Sequence, residues 1–490
     1  MKKSVLLAAA FVALIATSCR KIEMDGGTST VVTQPTTPGV QTIILKGRID
    51  KDTVLREGNN YILSGIVYMV NNATMTVQPG VTVKGDYTGA NVAALVITRG
   101  AKLIADGTQE KPIVFTSNSP VPRSGDWGGI VLLGKASVNT AFTGTGGGQG
   151  IYQAEGGIDN SFGDGLAGGG TSPNDADNSG ILRYVRIEYA GYAYQPDKEL
   201  NSLTMCAVGS GTIIDYVQVT YAKDDAFEWF GGTVNCKHLI AYKTQDDDFD
   251  TDNGYSGKVQ FGIALRDSTI ADISRSEAFE SDNDASGSIN SPQTKAVFSN
   301  MTVIGPRATL ANNGNSLYLT AAQIRRNSGI SIFNSIFLGW PSGLLIDSRN
   351  GRAVELNIND STVRFKNNII AGCGPLSGTD VTSMNYIGTA TTPWSTGGVD
   401  SVKTFFGNSA FGNKVLTNVS DCKMIAPFSY SAPDFLPFAG SNGNQDILTG
   451  ASFTDPKLAS GFNVVKFRGA CDAAGVDAFW WKGWTRFINN

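Results

Sequence analysis

The sequence predicts an all-β protein, a right-handed parallel β-helix, and three observations lead to this fold class. Short apolar runs recur along the chain, each bounded by Gly, Pro, Asn or Asp, and no stretch of helical periodicity competes with them. The joins between the runs are short and lack hairpin dipeptides, which favours successive faces of a β-helix over a sandwich. One acidic phrase returns three times, and its first two copies lie 22 residues apart, about one coil of a solenoid.

The chain begins with a segment typical of secretion. A basic start, Met-Lys-Lys, precedes an apolar run at residues 5–16 that is too short to span a membrane as a mature anchor. Residues 16–19, Ala-Thr-Ser-Cys, resemble a bacterial lipoprotein processing site, at which Cys19 becomes the lipidated N-terminus. An ordinary cleaved secretory signal is the alternative. We therefore predict a signal peptide at residues 1–18.

The rest of the chain divides into a tether, a body and a C-terminal segment. Residues 19–40 are rich in Gly, Ser, Thr and Pro and predict a flexible tether. Residues 41–465 form the predicted β-helix, in which a Gly-, Asn- and Asp-rich stretch at about residues 140–179 is a long loop or a disordered insertion. Aromatic residues are concentrated in residues 466–490, which predicts a cap over the open hydrophobic end of the helix. An exposed aromatic platform for sugars is the alternative.

Composition narrows the classes of function. The net charge of −4 argues against a nucleic-acid binder. Five cysteines besides Cys19 leave at least one unpaired, and Cys422 with Cys471 is the candidate disulfide. The chain has no Cys-x-x-Cys pair and one histidine, His238, which argues against zinc. We expect His238 to be a packed or surface residue.

The repeated phrase consists of an acid, any residue, Phe and an acid, with its phenylalanines at Phe227, Phe249 and Phe279. Coils stacked at this offset bring equivalent residues of neighbouring copies together. We expect the three rings to form a ladder inside the helix, because packing in the core explains them better than a ligand surface does.

The acids of the same phrase should form a column of carboxylates. Carboxylates this close raise one another's pKa unless a cation lies among them. Calcium is the favoured cation, because it accepts about six to eight oxygen ligands in irregular geometry; capping of turns by the acids is the alternative. The candidate metal ligands are Asp225, Glu228, Asp246, Asp247, Asp248, Asp250 and Asp252, with Asp224 beside them and Glu280, Asp282 and Asp284 on the next coil.

Longer phrases resemble a known family. They are Ser-Gly-Ile-Leu-Arg-Tyr-Val-Arg-Ile-Glu-Tyr-Ala-Gly at residues 179–191, the segment at 222–235, Gly-Asp-Trp-Gly-Gly-Ile at 125–130 and Gly-Trp-Thr at 483–485. The chain resembles a family of bacterial right-handed parallel β-helix, or pectin-lyase-like, outer-membrane lipoproteins of poorly defined biochemical function. The resemblance implies a lipoprotein of the outer membrane, at the cell surface or facing the periplasm, and a TonB-dependent receptor as its partner.

Parallel β-helix enzymes that cleave uronic-acid polysaccharides suggest a catalytic role. Inverting hydrolases need carboxylates on both sides of the glycosidic bond, and Asp224, Asp225 and Asp247 are the candidates here. The chain lacks the Asn-Thr-Asp, Gly-His-Gly and Arg-Ile-Lys motifs of polygalacturonases. A calcium-dependent lyase with a Lys or Arg base is the other catalytic form, and the bases it could use are Lys223, Lys243, Arg266 and Arg275.

A binding role needs less chemistry. Tyr221, Trp229 and Tyr242 lie close to the acids in sequence and are the predicted sugar-stacking residues. The sequence therefore predicts a lipid-anchored envelope protein that binds or presents a ligand such as a glycan, as an accessory to a TonB-dependent transporter. The alternative is a calcium-dependent polysaccharide lyase or glycoside hydrolase acting on uronic-acid glycans.

Overall fold

The computed structural model describes residues 20–23, 30–37, 39–89, 92–158, 160–195, 198–312, 314–374 and 383–488. The predicted signal peptide and its processing site, Cys19, lie outside the described residues. In the part of the chain that is described, no helix is long and apolar enough to cross a membrane.

The chain folds as the predicted right-handed parallel β-helix, in which the strands of the coils pair in parallel with strands of the coils before and after them. In chain order the strands are Arg20–Glu23, Thr30–Thr37, Val40–Ile49, Thr53–Leu55, Asn60–Met69, Thr74–Val77, Thr82–Gly85, Ala94–Ile97, Lys102–Asp106, Ile113–Ser117, Ile130–Leu133, Ala141–Phe142, Gly148–Gln149, Tyr152–Gln153, Leu166–Ala167, Gly180–Glu188, Ala193–Gln195, Lys198–Glu199, Leu203–Val208, Ile213–Thr220, Phe227–Gly232, Asn235–Tyr242, Phe249–Asp252, Lys258–Leu265, Phe279–Ser281, Val297–Ile304, Ala322–Arg325, Ser331–Phe333, Ile336–Leu338, Leu344–Asp347, Arg364–Lys366, Ile369–Ala371, Met384–Ile387, Lys414–Leu416, Met424–Ala426 and Asp434–Pro437. The α-helices are Val354–Asn359, Gly398–Phe406 and Gln445–Thr449. Short 3₁₀ helices follow at Ser409–Phe411, Val419–Cys422, Gly440–Asn442 and Pro456–Leu458.

Each coil contributes to three parallel sheets. Sheet 1 begins with Thr53–Leu55 and ends with Arg364–Lys366. Sheet 2 begins with the first half of Val40–Ile49 and ends with Lys414–Leu416. Sheet 3 begins with the second half of Val40–Ile49 and ends with Met384–Ile387, and it contains all three copies of the acidic phrase. Equivalent outward side chains of successive coils therefore lie next to one another on the outer face of sheet 3.

The phenylalanines of the acidic phrase lie inside the helix, as predicted. Phe227, Phe249 and Phe279 are in register on successive strands of sheet 3 and are at most 1% exposed. Their ring centroids are separated by 5.8 and 5.2 Å. Since side chains alternate along a strand, the acid that follows each Phe points to the outer face.

A second stack of rings marks the corner between sheets 1 and 2. The long strands of the middle coils bend there at a residue with positive φ, and Tyr184, Tyr216, His238 and Phe261 occupy this position. Successive ring centroids are 4.5, 4.1 and 5.1 Å apart. The Nδ1 atom of His238 lies 2.7 Å from Oδ1 of Asp215. His238 is therefore a packed corner residue.

The aromatic C-terminal segment lies along the outside of sheet 2, whereas the sequence placed it over the end of the helix. The Arg186 guanidinium donates to the carbonyl of Trp484, and Gln218 exchanges two hydrogen bonds with the backbone of Arg486. The physical reason is that the outer face of sheet 2 is itself apolar and packs with Trp480, Trp481 and Trp484 in one buried cluster.

The C-terminal end of the helix is covered by other residues. In the helix Gly398–Phe406, Val402, Phe405 and Phe406 join the main core, and Phe406 packs on Phe365 with ring centroids 5.8 Å apart. An amphipathic helix can close a solenoid in this way because it places one apolar face on the last coil.

The Gly-rich insertion packs against the outside of sheet 3. It forms two small antiparallel pairs, Ala141–Phe142 with Gly148–Gln149 and Tyr152–Gln153 with Leu166–Ala167. Its apolar residues join a buried cluster with outward side chains of sheet 3 such as Phe230, on which Tyr152 stacks at 4.8 Å. The insertion thus covers outward side chains of sheet 3 as far as the strand Phe227–Gly232, which carries the first acidic phrase.

Two further observations concern segments for which the sequence analysis made predictions. Within the segment predicted as a flexible tether, Arg20–Glu23 and Thr30–Thr37 form antiparallel strands that continue onto Val40–Ile49. Cys422 and Cys471, the candidate disulfide, are both free thiols buried in the apolar cluster outside sheet 2. Burial of a small apolar side chain explains both cysteines without a bond between them.

Candidate metal and ligand site on sheet 3

The turns that lead into sheet 3 carry a ladder of side-chain to backbone hydrogen bonds. The amide of Asp225 donates to Oδ1 of Asn201 at 3.2 Å, the amide of Asp247 to Oδ1 of Asp225 at 2.8 Å, and the amide of Glu277 to Oδ1 of Asp247 at 2.6 Å. This geometry confirms that Asp225 and Asp247 are stacked. It also shows that one oxygen of each carboxylate caps a turn, as the structural alternative expected.

A second line of acids lies on the strands themselves. Glu228, Asp250 and Glu280 are in register on neighbouring strands and point outward. Neighbouring strands of a sheet lie about 4.8 Å apart, so these carboxylates follow one another at about that interval. The Asn201 amide group also donates to Glu228, which links this line to the ladder in the turns.

With Asp224 and Asp246, which precede Asp225 and Asp247 in the turns, the two lines form four overlapping groups of three carboxylates, and within each group one oxygen of every acid lies within 4.8 Å of the others. We call this set the acidic row. It consists of Asp224, Asp225, Glu228, Asp246, Asp247, Asp250, Glu277 and Glu280.

Among the described residues, an ion pair with arginine is found at only one end of the acidic row. Arg325 pairs with Glu280 and, at 2.8 Å, with Asp282, and Arg326 pairs with Asp282 at 2.7 Å. Among the described side chains, no Lys or Arg forms an ion pair with the other members of the row. The other acids of the row therefore lie next to one another without an ion pair to Lys or Arg among the described side chains.

The electrostatic consequence is a set of raised pKa values. Burial, followed by the charges of neighbouring acids, raises the pKa of Asp225, Glu228 and Asp247 well above the usual range. Burial raises the pKa of Asp246 to about 8, although a hydrogen bond from Ser274 opposes the shift. For Asp250, burial and the charge of Asp282 raise the pKa to about 7 against the opposing effect of Arg325. Near neutral pH, the row therefore holds protons or needs a cation.

Asp248, one of the predicted metal ligands, is not part of the row. Its carboxylate pairs with Arg266 at 3.0 Å, and neither side chain has exposed surface. The guanidinium of Arg266 also lies 5.2 Å from the ring of Tyr318 and 5.8 Å from that of Trp340. Burial raises the pKa of Asp248 to about 6 and the neighbouring Arg266 limits the shift. The carboxylate of Asp248 therefore forms an internal ion pair instead of contributing to the acidic row.

Asp252 lies on the outer face, two residues after Asp250, but outside the four carboxylate groups. Burial, Asp282 and Asp250 raise its pKa well above the usual range. Asp284 lies farther from the row and caps its own loop, since its carboxylate accepts hydrogen bonds from Ser286 and Ser288.

The predicted sugar-stacking residues offer no free ring face. Trp229 has no exposed surface and stacks on Tyr255 inside the helix at 5.2 Å. Tyr242 is equally buried, and Tyr221 is 8% exposed. The hydroxyls of both tyrosines contact the carbonyl of Ile488 in the C-terminal segment. All three therefore serve packing, which corrects the expectation that they flank the acids at the surface.

The candidate catalytic groups are only partly assembled. Asp224, Asp225 and Asp247 all belong to the acidic row. Of the candidate bases, Lys243 is buried in an ion pair with Asp267 at 3.0 Å and Arg266 in its pair with Asp248. Lys223 and Arg275 are exposed, and Nε of Arg275 donates to the carbonyl of Leu317.

Glu277 belongs to the site but was not among the predicted ligands. Its position in the third copy of the phrase equals that of Asp225 in the first and Asp247 in the second. The signal was present, but the spacing to the third copy is 30 residues, because a loop at residues 266–276 lengthens that coil. Register, rather than sequence distance, identifies this residue.

Comparison with known proteins places this site in a family context. A family model described as a pectate-lyase like beta helix domain matches residues 47–406. The chain belongs to this family. The match includes all of the acidic row, so the site of this pectate-lyase-like protein lies within the family domain. Among curated proteins no sequence matches the chain at a significant level.

Proposed function

We propose that this pectate-lyase-like protein binds a ligand at the acidic row through a bound cation, and that calcium is that cation. The observation that carries the proposal is the run of neighbouring carboxylates in which, among the described residues, only Glu280 forms an ion pair with arginine. The donor set consists of oxygen atoms, without cysteine or histidine, which suits a hard cation. Asp225, Glu228 and Asp250 would hold an ion at one end, and Asp247 would share one with Asp250 at the other.

A glycan rich in uronic acids is the ligand class that this chemistry favours. Such a polymer carries one carboxylate per sugar, so the bare acidic row would repel it. A calcium ion on the row would offset most of the local negative charge and leave positions for ligand oxygens, because calcium accepts more ligands than three carboxylates supply. Binding of the glycan should therefore require the metal.

The cellular setting forms part of the same proposal. Cys19 would carry the lipid that attaches the protein to the outer membrane, at the cell surface or facing the periplasm, and a TonB-dependent receptor would take up or receive the captured ligand. The support is the sequence of the first 19 residues and the family resemblance. Lipid labelling of the expressed protein that is lost in Cys19→Ser would support the anchor, whereas labelling that persists would contradict it.

Titration calorimetry of the chelator-treated protein with calcium tests the metal site. Asp225→Asn and Asp250→Asn should each weaken calcium binding by about tenfold or more, since each removes a charged ligand. Asp50→Asn is the matched control, because Asp50 is an exposed acid on the first coil. Equal calcium binding by all three variants would refute the proposal.

A polysaccharide lyase or glycoside hydrolase is the second candidate. The observation that favours it is the set of buried acids with raised pKa values, which can act as general acids near neutral pH. The mature protein should be incubated with polygalacturonate, alginate and neutral glycans, with and without chelator. Cleavage that disappears in Asp225→Asn or Asp247→Asn would establish catalysis. Calcium-dependent binding without cleavage would leave the binding function.

A further inference from the structure

A second candidate site lies near the C-terminal end of the β-helix, where the α-helices cover the last coils. The helix Val354–Asn359 and the helix Gly398–Phe406 border a cleft of about 360 Å³. This volume falls in the range of small-ligand pockets, roughly 300 to 1,000 Å³. None of its described lining residues belongs to the acidic row.

Aromatic and aliphatic side chains form the floor of the cleft. They are Ile358, Trp394, Phe405 and Phe411. Phe405 and Phe411 meet edge to face with centroids 5.6 Å apart, which fixes the two rings. Trp394 is half-buried, whereas the other six tryptophans of the chain, all within the described residues, are buried. One indole is therefore left with surface available to a ligand.

The rim supplies uncharged hydrogen-bonding groups of both kinds. The hydroxyls of Ser401 and Thr404 donate to carbonyls of the preceding helical turn at 3.1 and 2.8 Å, so their lone pairs stay free to accept. The side-chain oxygen of Asn408 accepts from the backbone at 3.0 Å, which leaves its amide hydrogens free to donate. Asn359 adds a second amide. No Asp, Glu, Lys or Arg is among the described lining residues.

We propose that this cleft binds an uncharged saccharide, with one sugar ring against Trp394 and its hydroxyls bonded to Asn408 and the two helix hydroxyls. Sugar rings have an apolar face and a rim of donors and acceptors, which is the pattern of the floor and rim described here. A charged sugar would lose hydration at the cleft and gain no ion pair there. The site is independent of the acidic row, which requires a cation.

Intrinsic tryptophan fluorescence and titration calorimetry of the mature chain test this site. The probes are cellohexaose, xylohexaose and mannohexaose, with trigalacturonate as the charged comparison. In chelator, which keeps calcium off the acidic row, we expect a saturable fluorescence change and measurable heat with at least one neutral hexasaccharide, and none with trigalacturonate. Trp394→Ala should weaken that binding by roughly tenfold or more. Phe479→Ala is the control, because Phe479 is an exposed aromatic residue outside the cleft.

Three outcomes would overturn the proposal: no binding of any neutral probe at millimolar concentration, binding only of the charged probe, or unchanged affinity in a folded Trp394→Ala protein. Should Trp394→Ala not fold, Asn408→Ala changes an exposed rim residue and should still weaken binding severalfold. Asp250→Asn should leave neutral-saccharide binding intact, so that failure of this site and failure of the acidic row can be distinguished.

Discussion

The outer faces of sheets 2 and 3 belong to the same coils but have opposite chemistry. On sheet 2, Ile240 and Ile263 point outward and are completely buried under the C-terminal segment. On sheet 3, the corresponding coils present Glu228, Asp250 and Glu280. The inner faces of both sheets are mainly apolar. In a β-helix, therefore, the inward side chains specify the fold, and the outward side chains can bind either another segment of the same chain or another molecule.

The same contrast appears between two acids of a single phrase. Asp248 lies in an internal ion pair with Arg266, while Asp250, two residues later, lies among other acids in the row. Both have raised pKa values, about 6 and about 7, and burial is the leading cause for each. Asp248 has a dedicated cation, and the environment of Asp250 favours an added one.

The largest expected effect is a loss of stability when apolar packing on the outer face of sheet 2 is removed. Trp484 has no exposed surface and packs edge to face against Tyr184 and Tyr216 at the sheet corner. Trp484→Ala should reduce the free energy of unfolding by about 4 kcal/mol, because it leaves a cavity under the C-terminal segment. Urea denaturation measures the change. Phe479→Ala, an exposed position in the same segment, should change it by less than about 0.5 kcal/mol. Equal stability of both variants would mean that the segment does not stabilise sheet 2.

The ion pair beneath the row should give the next largest effect. Arg266→Met leaves the buried carboxylate of Asp248 without its cation and should cost about 3 kcal/mol at pH 7.5. The cost should shrink at pH 5, because Asp248, whose pKa is already about 6, can then become neutral. Arg275→Met is the control, since Arg275 is exposed. A loss of stability that does not vary between these pH values would refute the role given to Asp248.

The repeated phrase allowed much of the fold and part of the site to be predicted. A 22-residue offset and a Phe at the same place in each copy are enough to stack Phe227 on Phe249 and Asp225 on Asp247. Both follow from coil length and strand alternation, which are local properties of the sequence.

Interactions between distant segments could not be predicted in this way. The Arg266 partner of Asp248 comes from the next strand of sheet 2, and nothing in the local sequence distinguishes it from Lys223 or Arg275. The position of the aromatic C-terminal segment depends on the apolar outer face of sheet 2. The sequence alone does not distinguish the side chains of this outer face from those of the core. Tyr216 and His238 are also 22 residues apart, and they stack at the corner. This spacing indicates the corner stack only when the register of the strands is known.

The pH dependence of stability tests the charge state of the acidic row on sheet 3. Asp246 and Asp250 have native pKa values of about 8 and 7, above those of an unfolded chain. Between about pH 4 and 8 the native protein therefore binds more protons than the unfolded one, and the free energy of unfolding falls as pH rises. In chelator, the thermal midpoint should be lower at pH 8 than at pH 5.5, and calcium should restore it at pH 8. A midpoint that rises with pH in chelator would contradict the charge state assigned to the row.

The smallest expected effect is a gain in stability on removal of one charge from the row. Asp250 lies between Glu228 and Glu280 in register, so Asp250→Asn relieves repulsion on both sides. In chelator at pH 8 the variant should be about 1 kcal/mol more stable than the wild type, as expected for the loss of a like-charge neighbour. With calcium the order should reverse, because the variant has lost a ligand. Asp50→Asn, on the exposed first coil, should change stability in neither condition. If Asp250→Asn destabilised the protein with and without calcium, Asp250 would be a structural acid like Asp248. The outer face of sheet 3 would then stabilise the fold, as the outer face of sheet 2 does, instead of binding a cation.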